Sequence, residues 1–405
     1  MIVCSLSVVS AGDRDGARRH AARGLLIPVR GRCGREVPGP RIFSLVVDAQ
    51  ALRAEFPVLS RIAYLNAGTD GPLPARAVAA AASELQRELQ DGRAQSHFAR
   101  RTELTDALRG LYAGALGAAP GDVALSTCTT EGMAQVIGGL ELGRGDEILT
   151  SDEEHPGLLG ALGAARELRG VSVREVPFAE VAEAVGPKTR LVACSHVSWL
   201  NGCVAPAELS QLEVPVLLDG AQGVGAVPVD VVALGCDAYA GAGQKWLCGP
   251  DGTGMLYVRP ALRERLAIPR RGYGNLKEPN RGLDATLHED ARSLDTLSLN
   301  AETVACALAS VELLASTGWA AVHERARSLA ARLAEMLAEH GRQTVPRGPT
   351  TLVSFASPDP VAERALLAEA GVIVRNIPDR PWLRASVGAW NDEGDLDRLM
   401  GTLSR

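Results

Sequence analysis

The sequence predicts an α/β fold: a large domain on a mostly parallel sheet of seven strands, followed by a smaller C-terminal α+β domain. Three observations predict it. From Leu52 onward, short β-rich runs precede long runs of Ala, Leu, Glu and Arg with helical period. Several strand runs are apolar throughout, as expected when helices cover both faces of a sheet. After Leu297 the texture changes to a long helical stretch and then to strand–helix–strand material.

Taken in order, the strands of the large domain fall at 122–126 (DVALS), 146–150 (DEILT), 171–176 (VSVREV), 189–194 (TRLVAC), 214–218 (VPVLL), 236–240 (CDAYA) and 254–258 (GMLYV). Helices fall at 75–90, 103–116, 131–141 and 157–168. A helical stretch over 299–340 breaks near Thr317 and Gly318, and 350–355, 361–370, 372–375 and 383–387 supply the strand–helix–strand end. The domains are therefore expected at 46–297 and 298–405. Residues 1–45 stand apart: 11–41 are rich in Arg and Gly and lack apolar periodicity. That composition reads as a disordered extension, with a targeting peptide as the alternative.

Composition bounds the function. With 405 residues, 46% of them hydrophobic, the chain can bury a large core. A net charge of -6 argues against a nucleic-acid surface. No apolar run approaches the roughly 18–20 residues that cross a bilayer. The eight cysteines (Cys4, Cys33, Cys128, Cys194, Cys203, Cys236, Cys248 and Cys306) form no C-x-x-C pair and no zinc spacing with His. No metal site is expected, and the thiols read as reduced in a cytoplasmic protein.

The chemistry concentrates in residues 214–258. One buried strand ends in Asp219-Gly-Ala-Gln; another, about 25 residues on, ends in Gly-Ala-Gly-Gln-Lys245-Trp. Ligands of parallel α/β sheets bind at the C-terminal ends of strands, so Asp219 and Lys245 can face one pocket. Such a pair suits pyridoxal 5′-phosphate (PLP). A lysine forms a Schiff base with its aldehyde, and a carboxylate keeps the pyridine nitrogen protonated. The plain alternative is a surface ion pair. Residues 122–133 (DVALSTCTTEGM) run from a strand through hydroxyl residues into a helix, an arrangement that binds phosphate. Thr129 and Thr130 are the candidates, and a simple helix cap is the alternative.

The ordered set Tyr64-Leu-Asn-Ala-Gly, Ser126-Thr-Cys-Thr-Thr-Glu, Glu154-His-Pro, Ser195-His-Val-Ser-Trp, Asp219-Gly-Ala-Gln, Gly243-Gln-Lys-Trp and Arg384-Ala-Ser-Val-Gly-Ala-Trp-Asn resembles the class V aminotransferase family of fold-type I PLP enzymes. That family includes cysteine desulfurases, cystine C–S lyases and isopenicillin N epimerases. The resemblance runs from about Phe56 to Leu403. It implies PLP as cofactor, an amino-acid substrate and a homodimer. It makes Lys245 the Schiff-base lysine and proton shuttle, Asp219 the partner of the pyridine nitrogen and Gln222 the partner of the phenolic oxygen. His155 would stack on the ring and take part in catalysis; as residues alone, it reads rather as a surface-turn histidine after the Asp-Glu-Glu run. Thr129, Thr130 and Gln244 would hold the phosphate, with Gln244 standing where many members have His. Arg384 resembles the carboxylate-binding arginine, Arg375 its companion, and Asn66 a further substrate contact. Guanidinium suits that task because it binds carboxylate bidentately.

Three features bear on the reaction. Desulfurases accept sulfur on a loop cysteine shortly before the carboxylate arginine, and this chain has no cysteine after Cys306. The short stretch NIPDRPWL between Arg375 and Arg384 resembles that of cystine C–S lyases. Trp199 stands where desulfurases usually carry Asn, although core packing would also explain it. Against these, Arg292-Ser-Leu-Asp295 departs from the family's usual Arg-Arg-Phe-Glu. The expectation is β-elimination at the Cβ–S bond of cysteine, cystine or a cysteine conjugate. An aminotransferase, an epimerase, or sulfur transfer without the usual loop cysteine are the alternatives.

Overall fold

The computed structural model describes residues 48–404, so the expected extension over 1–45 lies outside the described residues. Ten helices and twelve strands follow one another among them. The N-terminal part holds α1 (Ala49–Ala54), β1 (Ala63–Tyr64), α2 (Ala75–Asp91) and α3 (Gln95–Leu116). The sheet-forming part holds β2 (Val123–Ser126), α4 (Thr129–Gly139), β3 (Glu147–Ser151), α5 (Pro156–Arg169), β4 (Ser172–Val176), β5 (Thr189–Ser195), β6 (Val216–Asp219), β7 (Ala238–Ala242) and β8 (Gly254–Val258). Then come α6 (Pro260–Arg263), α7 (Ala301–Thr317), α8 (Trp319–Glu339), β9 (Leu352–Ala356), α9 (Pro360–Glu369), β10 (Val372–Ile373), β11 (Arg375–Asn376), β12 (Trp382–Ser386) and α10 (Glu393–Leu403).

All seven strands expected in the large domain form one sheet, in the order β2-β8-β7-β6-β5-β3-β4. Only β8 runs against the others. Alternate side chains of each strand enter opposite cores, which is why the strands read as apolar throughout. Leu125, Leu218 and Tyr239 pack with α3 and α7 on one face. Ala124, Leu217 and Ala238 pack with α4 and α5 on the other. The C-terminal ends of β2, β3, β5, β6 and β7 consequently share one edge, where an open parallel sheet binds its ligands.

The C-terminal sheet is antiparallel, in the order β11-β12-β9, and packs on α8, α9 and α10. The expected boundary at 298 needs correction. Ala301, Val304, Ala307 and Val311 place α7 in the same core as α3, so the second core begins only with α8. Gly318, at φ 93°, lets the chain bend by 84° between the two helices. The segment around β1 also crosses the expected division. Strand β1 pairs in parallel with β10, and Ala63 and Leu65 join the C-terminal core. Helix α4 begins at Thr129, two residues before the expected Glu131. The Glu131 carboxylate instead turns back to accept from Thr127 N and Oγ1, at 2.6 and 2.7 Å.

Among the described residues no single helix is long and apolar enough to cross a membrane. None of their His, Cys, Asp and Glu side chains gather as a metal site.

Candidate active site

Four strand ends deliver the site. A cavity of about 220 Å³ at the C-terminal edge is lined by Thr129 and Thr130 after β2, His155 after β3, Asp219 at the end of β6, and Gln244 and Lys245 after β7. Thr69 and Arg375 close it from the N-terminal segment and the C-terminal sheet. Local backbone explains the placement. Gly220 must follow Asp219 because a Cβ there would meet the Tyr239 ring at 2.0 Å. Gly71 lies against the lysine loop: Gly71 N donates to Gln244 O at 2.7 Å, and a Cβ on Gly71 would meet Lys245 O at 2.0 Å.

Charge is distributed unequally. Burial pushes the Lys245 amine down to about 8; Asp219 opposes the shift and Arg384 adds to it. Burial also raises the Asp219 carboxyl, which Lys245 and the Ala221 N–H, donating at 2.9 Å, work against. His155 caps α5, accepting from Gly157 N at Nδ1 (3.1 Å), so its proton sits on Nε2. Burial, then the charges of Lys245, Arg375 and Arg384, hold His155 near 4, a neutral ring. That ring meets the Trp199 indole edge-on at 5.2 Å.

The remaining expected residues lie one layer behind the cavity wall. The Gln222 amide donates to Gly68 O at 2.7 Å and accepts from Trp246 Nε1 at 2.9 Å, leaving one N–H to give. Asn66 Oδ1 accepts from Thr69 Oγ1 at 2.8 Å. Arg384 is fully buried. Its Nη1 donates to Trp199 O, while Nε and Nη2 have no partner. Arg375, expected as the companion, is the arginine that lines the cavity. It donates to Thr69 Oγ1 at 3.3 Å, and its guanidinium lies 5.6 Å from the centre of the Trp199 ring. Thr69 escaped the sequence reading, although it stands three residues after Asn66 in the segment that drew attention.

These residues fit PLP. Thr129 Oγ1 at the start of α4 is buried without a partner, a hydroxyl that can donate to a phosphate, and the Gln244 side chain lines the same cavity with an amide that can donate as well. A buried amine and a buried carboxylate face one space, beside a neutral flat ring and the Arg375 guanidinium.

Comparison with known proteins agrees with this geometry. The profile of the family described as Aminotransferase class-V matches residues 63–399. An isopenicillin N epimerase of Amycolatopsis lactamdurans is 30% identical over 84% of this chain and 94% of its own length. A probable cysteine desulfurase of Pseudomonas aeruginosa is 32% identical over 87% and 97%. Among solved structures, the cystine C–S lyase C-DES with its product cysteine persulfide superposes with a TM-score of 0.81 at 27% identity, covering 86% of this chain and 99% of that one. A lysine-to-alanine variant of C-DES, with glycine covalently linked to its PLP cofactor, gives 0.82 at 27% identity over 87% and 98%.

Proposed function

The chain belongs to the class-V aminotransferase family, and on that premise we propose that it cleaves the Cβ–S bond of cysteine, cystine or a cysteine conjugate by β-elimination. It is a PLP-dependent enzyme acting on an amino acid. Bound PLP supplies an electron sink that weakens the bonds at Cα and Cβ of an attached amino acid. The protein decides which bond breaks. Lys245 Nζ would hold the cofactor, and its amine would take the Cα proton of the substrate. Asp219 would favour a proton on the ring nitrogen, and the neutral His155 imidazole would offer the ring a flat face without adding charge. Thr129, Thr130 and Gln244 would hold the phosphate, and Gln222 would have a free N–H to give to the ring oxygen. Arg375 and Arg384 bind the substrate carboxylate and so orient the Cα–H bond. Loss of the Cα proton and of the sulfur group, followed by water, gives pyruvate, ammonia and hydrogen sulfide from cysteine, cysteine persulfide from cystine or a thiol from a conjugate.

One observation favours elimination over transfer of sulfur to a protein thiol. Ile377 and Trp382, which bracket the turn between the two arginines, pack with Trp199 and Leu200 in one cluster. Ile377 N donates to Trp382 O at 3.0 Å, which keeps that turn short. It carries no cysteine, so the leaving sulfur departs on a small molecule. Pyruvate and ammonia in equal amounts from L-cystine or L-cysteine, with no keto acid added, are the expected result. Absence of pyruvate across sulfur amino acids would remove this reading. The 30% identity with an isopenicillin N epimerase then favours inversion at Cα, visible in heavy water as hydrogen exchange without loss of substrate.

We also propose that the enzyme is a homodimer. A largely apolar cleft lined by Ala134, Gly138, Ala267, Ile268 and Leu294 shares Cys128 and Thr130 with the cofactor cavity. A second copy covering it would seal the site from water, and two-fold dimers are the commonest oligomers. Sedimentation at twice the chain mass is expected, and a monomer with full activity would refute it.

A further inference from the structure

The acidic run after β3 takes no part in the chemistry above, yet each carboxylate in it is engaged. Asp152 Oδ1 accepts from Phe178 N at 3.0 Å, and Glu153 accepts from Asn201 Nδ2 at 3.1 and 3.2 Å. Glu154 turns inward and is 5% exposed. Its Oε1 accepts from Ser195 N at 3.0 Å and pairs with Ser151 Oγ at 2.5 Å, and its Oε2 pairs with Ser195 Oγ at 2.6 Å. Among the described residues no arginine, lysine or histidine forms an ion pair with it, and the neighbouring charge of Asp219 disfavours its ionised form.

The position of this group matters more than its burial. Ser151 is the last residue of β3, and the residue after Glu154 is His155, the cap of α5. Ser195 is the last residue of β5 and pairs in register with Asp219 on β6, while His196 N donates to Asp219 O at 2.9 Å. A side chain bonded to both serines therefore fixes the strand end that aims His155 relative to the one that seats Asp219. We propose that Glu154 is a positioning residue for the cofactor, its buried carboxyl group tying β3 to β5 so that His155 and Asp219 keep their places about the ring.

This rests on the cavity being a PLP site. The bridge works through hydrogen bonds, because a buried carboxylate without an ion-pair partner, beside a second carboxylate, gains little from its charge. Burial, opposed by Ser151 and Ser195 and helped by Asp219, pushes Glu154 up to about 7. Glutamine keeps the shape: its oxygen accepts from Ser195 N and Ser151, and its amide donates to Ser195 Oγ.

The test uses the full chain as holoenzyme, with Glu154→Gln, Glu154→Ala and Ser195→Ala. It reads the visible circular dichroism of bound PLP, the PLP dissociation constant and the far-ultraviolet spectrum. Glu154→Gln should match the parent. Glu154→Ala should bind PLP about tenfold more weakly, as expected for buried partners left unpaired, with altered visible dichroism and an unchanged far-ultraviolet spectrum. Ser195→Ala, which keeps the backbone bond to Glu154, should shift both readings the same way by less. It decides the matter if the alanine variant does not fold. Unchanged dichroism and affinity in the folded variants overturn the proposal, as does a Glu154→Gln protein as impaired as Glu154→Ala. A parent protein that binds no PLP would overturn the cofactor reading instead, so the two failures are distinguishable.

Discussion

Lys245→Ala will give a folded protein that lacks the visible absorbance of covalently held PLP and turns over sulfur amino acids slower by roughly 10²–10⁴-fold or more, the contribution of a positioned proton-transfer group. The lysine is asked to do two things, to bond an aldehyde and to take a proton from carbon, and both require the neutral amine. An ordinary lysine would be neutral in only about one molecule in three thousand at pH 7. Burial in the cavity, with Arg384 reinforcing and Asp219 opposing, lowers its pKa to about 8, so about one in ten is neutral. The sign of the pH dependence follows. Covalent reconstitution of the apoenzyme with PLP will speed up about tenfold per pH unit from pH 6 and level off above about 8. A rate still climbing at pH 10 would mean the amine is solvated and the cavity is not the reaction site. A full visible band in Lys245→Ala would place the covalent link on another residue.

The large sheet and much of the cavity were legible because parallel strands write their burial directly into the chain. Runs such as VLL before Asp219 and AYAGA before Gly243 have apolar side chains on both faces and end where ligands bind. Lys245 and Asp219 could therefore be placed at one edge from their spacing. What the sequence hid depends on contacts between distant segments. The break at Gly318 is visible, but nothing local says that α7 joins the core of α2 and α3 rather than the one after the bend. Glu154 looks like one more acid in a solvated turn, since its two serine partners come from different strands. The order of the two arginines was hidden for a similar reason. Arg384 sits on the central strand of its sheet, beneath Gly68, where a Cβ would come within 3.0 Å of Nη2. Covered there, it leaves Arg375 on the edge strand to line the cavity.

Arg384→Met will separate stability from function. In the free protein this guanidinium is fully buried, donates one bond to Trp199 O and leaves Nε and Nη2 without partners. Burial first, then the neighbouring charge of Arg375, disfavours its ionised form. Removing such a group from water without an opposing charge is costly, and replacing it with an apolar side chain of similar length removes the cost. The substrate-free enzyme should therefore melt at a higher temperature in Arg384→Met. The carboxylate of the substrate is the anion that would complete the arginine. Losing a buried, charge-assisted pair of this kind costs about 2–5 kcal/mol, so kcat/KM should fall by about 30- to 5000-fold. A group whose partners are left open in the resting state and filled by the ligand shows this opposition between stability and activity. If kcat/KM is unchanged while the melting temperature drops, Arg384 serves as a clamp on the Trp199 loop and the carboxylate is held by Arg375 alone. If both fall together, the bond to Trp199 O outweighs the buried charge, and the resting site is better satisfied than its open Nε and Nη2 indicate.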